Sequence, residues 1–127
     1  MTESLEQQKL IQWLKLKKLF YFAPMNENQA SFTNRIVAMK QEVKAKSMGK
    51  VKGVSDVIVM LPNKILFIEL KRAKKILKSG KTSISHTKVS DEQKAFINSV
   101  NGFVYASAKI CYGFNEAMEF IEKEQNV

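Results

Sequence analysis

A mixed α/β fold, with a central sheet flanked by helices, is predicted by three features of this sequence. Residues 3–19 repeat apolar side chains at helical spacing. Two apolar runs, Asp56-Val57-Ile58-Val59-Met60 and Ile65-Leu66-Phe67-Ile68-Glu69-Leu70, are separated by a Pro62-Asn63 turn and read as a β-hairpin. Ser90-Asp91-Glu92-Gln93 has the form of a capping box that opens a further helix. At 127 residues the chain is expected to form one domain over residues 1–127 with a single core.

The elements follow in order. In the first helix Gln7, Leu10, Ile11, Leu14 and Lys18 share a face, and Lys15, Lys17 and Lys18 suit its C-terminal end. Phe20-Tyr21-Phe22-Ala23 reads as a short strand stopped by Pro24. A second, less regular helix is expected over residues 31–46, closing near Gly49. The hairpin runs are so uniformly apolar that both faces of the sheet are expected to be covered. Residues 72–88 read as a basic loop. A helix over residues 90–100, an Asn101-Gly102 turn, a strand over residues 103–106 and a last helix over residues 114–124 complete the order α-β-α-β-β-α-β-α.

The charge is unevenly spread. Of the net +9, residues 35–88 carry +11, residues 1–34 carry +1 and residues 89–127 carry −3. A concentrated basic region is the electrostatic footprint of a phosphate-backbone binder, although a solvated surface or an anionic membrane contact would look similar. One cysteine, Cys111, excludes an internal disulfide framework and a cysteine-based zinc site. A polar, acidic N-terminus and the lack of a long apolar run point to a cytoplasmic protein with no membrane association.

The hairpin carries the chemistry. Asp56 opens its first run, and Glu69 and Lys71 close the second. Side chains alternate along a strand, so Glu69 and Lys71 project to one side and Leu70 to the other, while antiparallel pairing brings Asp56 beside Glu69. Two carboxylates at the end of buried strands are costly without a nearby cation. A divalent ion such as Mg²⁺ or Mn²⁺ meets that need and activates phosphodiesters toward hydrolysis, with Lys71 offsetting charge on the phosphate. The plainer reading is a Lys71 ion pair at a sheet edge.

Gly53-Val54-Ser55-Asp56, then Glu69-Leu70-Lys71 thirteen residues after Asp56, resembles the signature of the PD-(D/E)XK nuclease superfamily. Within it, the chain most resembles the virus-type replication-repair nuclease (VRR-NUC) domain, which follows this block with a Ser-x-x-Gln helix, here Ser90 to Gln93. Ser55 stands where that family has proline. The resemblance implies a restriction-endonuclease-like fold and a DNA endonuclease dependent on Mg²⁺ or Mn²⁺. It implies catalytic roles for Asp56, Glu69, Lys71 and Gln93, and metal ligation by Asp56, Glu69, the Leu70 carbonyl and a glutamate of the first helix. Glu3, with Gln7 one turn on, fits the family spacing and is favoured over Glu6. It further implies branched DNA, chiefly four-way junctions, as substrate and a homodimer as the active unit. Phe20, Tyr21, Phe22, Ile36, Val37 and Met39 are candidates for the dimer surface; all are also readable as core, and for Phe20 and Phe22 core is the favoured reading.

Lys50, Lys52, Arg72, Lys74, Lys75, Lys78 and Lys81 are the candidate DNA contacts. His86 reads as a surface or phosphate-contacting residue, and Trp13 as core rather than a base-stacking platform. Gln93 has a competing role as the third residue of its own capping box. Two other functions compete with a junction nuclease: a nuclease on linear duplex DNA, and a basic DNA-binding protein without catalysis.

Overall fold

The computed structural model describes residues 1–24, 35–76, 78–80, 82–83 (backbone only) and 88–126. Residues 31–34 of the expected second helix, Lys81 and His86 lie outside the described residues.

The apolar runs form the middle of a four-stranded sheet. β1 (Phe20–Phe22) pairs antiparallel with β2 (Val57–Met60), and β2 pairs antiparallel with β3 (Ile65–Lys71). The last strand of that sheet, Ala106–Tyr112, lies parallel to β3 along its whole length. Within the basic stretch, expected to be a loop, β4 (Lys75–Ile76) and β5 (Thr82–Ser83) form a separate two-stranded ribbon. Ala106–Tyr112 is therefore β6. Around the sheet are α1 (Glu3–Leu16), α2 (Arg35–Ser47), α3 (Asp91–Val100) and α4 (Phe114–Gln125).

Alternation along β3 sorts the two faces. Leu66, Ile68 and Leu70 join Val57, Val59 and Cys111 in the core, against Leu10 and Leu14 of α1 and Phe120 and Ile121 of α4. The other face carries Phe67, whose ring meets Phe96 of α3 edge-on at 5.8 Å, and then Glu69 and Lys71. Ala106 and Ala108 lie on this same face in the β3–β6 register. The outer edge of β6 is closed at Ala108, whose N–H donates to Asn101 Oδ1 at 2.7 Å and whose carbonyl accepts from Asn101 Nδ2 at 3.1 Å. An amide side chain thus takes the place of a neighbouring strand and blunts the edge.

Three expectations need correcting. The first helix ends at Leu16 rather than near residue 19, because Lys18 takes a left-handed φ of 57° and Leu19 N–H returns to the Leu14 carbonyl. Its buried face is Glu6, Leu10 and Leu14. The strand expected over residues 103–106 begins where that span ends: Phe103, Val104 and Tyr105 are exposed in a turn, and the strand is the small-residue run from Ala106. High β-propensity there misled, since such propensity reflects packing partners that the turn lacks. The sheet is not covered on both faces throughout. Phe20, Phe22 and Met60 share one face in the β1–β2 register and are exposed, while Tyr21 points to the core. No residue of α2 is buried.

Candidate active site

Extending the β2–β3 register by one residue sets Asp56 opposite Glu69. Asp56 Oδ2 accepts a hydrogen bond from the Leu70 N–H at 2.8 Å, which fixes its carboxylate against the end of β3. Glu69 is almost wholly buried. Its Oε1 accepts from Gln93 Nε2 at 2.7 Å and lies 3.6 Å from Lys71 Nζ. Its Oε2 is buried without a hydrogen-bond donor.

Gln93 performs both roles that the sequence left in competition. Its Oε1 accepts from the Ser90 N–H at 3.0 Å, completing the capping box, and from Lys71 Nζ at 3.2 Å. The amide thus spans Lys71 and Glu69 while its backbone starts α3. Gly53 makes this placement possible. At φ +84° it presses onto the start of α3, where a Cβ would lie 2.4 Å from the Glu92 carbonyl oxygen and 2.7 Å from Gln93 N. Only glycine permits that approach, and the sequence reading assigned Gly53 no such part.

The two first-helix glutamates separate cleanly. Glu3 stands close enough to Asp56, Lys71 and Arg72 to feel all three charges. Glu6 is buried and points elsewhere, accepting from the Phe114 N–H at the start of α4. Side-chain carboxylates at the site resist ionisation. Burial, followed by the charge of Asp56, pushes Glu69 up to about 8. Asp56 is raised by burial, against the opposing hydrogen bond from the Leu70 N–H and the charge of Lys71. Glu3 is raised by burial and then by Asp56.

The cause is plain: Asp56 and Glu69 face each other in a dry strand end, with Lys71 the cation held beside them. A proton or a divalent cation relieves that crowding. The orphaned Glu69 Oε2 is the atom such an ion would satisfy, so the residues present fit a hard cation with oxygen ligands. Among the described residues no three His, Cys, Asp or Glu side chains converge on one point. Mg²⁺ commonly takes one or two carboxylates and completes its shell with water and substrate phosphate.

Of the candidate DNA contacts, Lys50, Arg72, Lys75 and Lys78 are exposed. Lys52 is exposed but paired with Glu42. Lys74 lies over the Tyr112 ring at 4.8 Å and 3.9 Å from Glu116 Oε2, while Glu116 Oε1 accepts from the Tyr112 N–H. Tyr112 is paired with Lys71 in the sheet, so this cluster adjoins the site. Sequence reasoning missed Glu116 and Tyr112, which carry no local signal beyond their types. Trp13 packs partly buried against the core, edge-on to Phe114.

A parallel-plus-antiparallel sheet ending in an Asp and a Glu-x-Lys is the arrangement of the PD-(D/E)XK superfamily. More particularly, the chain belongs to the VRR-NUC domain family, whose model matches residues 1–115. That is a family of nuclease type. A solved structure described as a VRR_NUC domain protein is similar in fold, with a TM-score of 0.66 at 17% identity over 96% of this chain and 86% of that one. A comparison with curated proteins gave no match. No helix among the described residues is long and apolar enough to cross a membrane.

Proposed function

We propose that the chain is an endodeoxyribonuclease that hydrolyses phosphodiester bonds with Mg²⁺ or Mn²⁺. The observation that carries this reading is half-buried Asp56 facing buried Glu69, with an unpartnered Glu69 oxygen, beside a Lys71 held by Gln93. Asp56, Glu69 and the Leu70 carbonyl would hold the ion, with Glu3 contributing from α1. When bound, a divalent metal supplies Lewis-acid polarisation of the phosphate and lowers the pKa of water. Lys71 then places its ammonium where negative charge grows on the scissile phosphate. Gln93 holds both side chains, accepting from Lys71 Nζ and donating to Glu69 Oε1. The exposed Lys50, Arg72, Lys75 and Lys78 supply backbone affinity without reading sequence.

The substrate in this reading is branched DNA, and the active unit a homodimer in the cytoplasm. One site serves one strand, and a two-fold pair of subunits suits the two symmetric nicks of a four-way junction. Phe20 and Phe22 on β1, and Ile36 and Met39 on α2, are exposed apolar side chains that a second copy would cover. The test is cleavage of junction, flap, linear and single-stranded DNA with Mg²⁺, Mn²⁺ or EDTA, alongside light scattering at micromolar concentration. Metal-dependent nicking that favours the junction, by a particle of twice the chain mass, is expected. A monomer that cuts linear duplex equally well would establish the linear-duplex alternative, and DNA binding with no cleavage in any metal would establish the non-catalytic one.

A further inference from the structure

α4 starts without a cap of its own. Its N-cap is Gly113, which has no side chain to offer the orphan N–H groups of a first turn. The missing acceptor comes from α1: Glu6 Oε2 takes the Phe114 N–H at 2.5 Å, across 108 positions of sequence. The adjoining Gly113 N–H donates to the Lys71 carbonyl at 2.9 Å. Gly113 is at φ +91°, and a Cβ there would lie 2.9 Å from the Ala73 Cβ and 3.5 Å from Glu6 Oε2. Two consecutive hydrogen bonds therefore fasten α1, the start of α4 and the end of the strand that carries Glu69 and Lys71.

Glu3 lies three residues before Glu6, on the same side of α1. A helix pinned at Glu6 cannot turn or slide without moving Glu3 relative to Asp56. Glu6 is also the only acid among the buried residues of α1, whose other buried members, Leu10 and Leu14, are packed apolar side chains. Apolar packing alone tolerates small rotations that a directional carboxylate–amide bond does not.

We propose that Glu6 is a positioning residue of the metal centre: without touching the ion, it locks α1 to the β3 end and so keeps the Glu3 carboxylate within reach of the Asp56–Glu69 pair. This rests on the reading of that pair as a divalent-metal site. The test is Mn²⁺ binding to the full chain without DNA, followed by electron paramagnetic resonance. Glu3→Gln and Glu6→Ala are each expected to weaken Mn²⁺ about tenfold, the scale on which supporting residues act on metal sites. Glu6→Gln keeps an acceptor oxygen and is expected to bind within about threefold of wild type by the same scale. The double variant Glu3→Gln/Glu6→Ala is expected to be no weaker than either single one, since Glu6 acts only through Glu3. Additive losses, or wild-type affinity in Glu6→Ala, would overturn the proposal. Where Glu6→Ala does not fold, Glu6→Asp draws the carboxylate back by one methylene and should also weaken Mn²⁺; wild-type affinity there overturns it equally. Glu69→Ala separates the two levels: if it too binds Mn²⁺ normally, the metal-site reading itself fails.

Discussion

The two ends of β3 carry the same residue types and treat them in opposite ways. Beside its first residue, Lys64 Nζ meets Glu124 Oε2 at 2.9 Å, one cation to one anion, each partly exposed. At its last residues, Lys71 faces Glu69, Asp56 and, further out, Glu3. The first end is electrostatically closed. The second is short of positive charge in a drier place, and one carboxylate oxygen there has no donor. A Lys–Glu pair at a strand end is thus no mark of function in itself. What distinguishes the catalytic candidate is an excess of buried anions that folding leaves unsatisfied.

The largest expected difference between the ends is in activity. Asp56→Ala, Glu69→Ala and Lys71→Ala should each lower cleavage by at least about 100-fold, in keeping with loss of a group that acts on transition-state charge. DNA affinity should change little, because it comes from distributed phosphate contacts. Gel-shift and nicking assays on the same preparations check both halves. Cleavage at wild-type rate by Glu69→Ala with Mg²⁺ present would remove the contrast altogether.

The next difference is in pH response. Glu69 is pushed from 4.5 up to about 8 by burial and by Asp56. The folded chain therefore keeps a proton that the unfolded chain has already released. Stability of the metal-free protein should fall as pH rises between about 4.5 and about 8, and level off above. Asp56, raised in the same direction, adds to the fall. Glu69→Gln, always neutral, should flatten the profile, and Mn²⁺ should offset the fall by taking the proton's place. Thermal melts in EDTA from pH 5 to 9 give the comparison. Parallel profiles for wild type and Glu69→Gln would mean that the crowding at this end is relieved in some other way.

The candidate site was legible in the sequence because its signal is local. Apolar runs interrupted by Asp56, Glu69 and Lys71 announce charges at strand ends, and strand alternation alone pairs Glu69 with Lys71. The capping box at Ser90 placed Gln93 at the start of a helix, though not against β3. The parts that were not legible depend on contacts between distant segments. Glu6 looks like an ordinary acid of a first helical turn until α4 lies beside it. Gly53 looks like a loop glycine until α3 presses on it. Phe103, Val104 and Tyr105 have strand character but lie exposed in a turn, whereas Ala106 and Ala108 have little propensity and a place in the sheet. Propensity is read from one residue at a time, and these outcomes were decided by neighbours.

A smaller effect is expected from the ribbon that follows β3. Lys75 and Lys78 are exposed, and Lys74 is tethered to Glu116 and Tyr112 beside Lys71. Reversing all three to Glu should weaken DNA binding and make the slope of log affinity against log salt shallower by about 3, roughly 0.9 for each phosphate no longer neutralised. A salt titration by fluorescence anisotropy reads this directly. An unchanged slope would show that the ribbon faces away from DNA and that affinity comes from elsewhere, with Lys50 and Arg72 the next to test.

The smallest effect is expected where the comparison began, at the closed end. Lys64→Met and Glu124→Gln each break the Lys64–Glu124 ion pair but leave the sheet register, the Asn101 clamp on Ala108 and the core intact. Partial exposure lets water take over much of the interaction, so each change should cost about 1 kcal/mol or less in stability. Glu124→Gln retains an oxygen that can still accept from Lys64, so it should cost the less of the two. The candidate catalytic groups lie at the other end of β3, about 20 Å away at the rise of an extended strand. The charge there is also screened over that distance. Cleavage rates should therefore stay at the wild-type level, as should the pH profile of stability between 5 and 8. Chemical denaturation and the nicking assay on these two variants test both statements. A marked loss of cleavage with little loss of stability would show that the two ends are coupled through β3, and the contrast between a structural pair and a catalytic one would no longer hold.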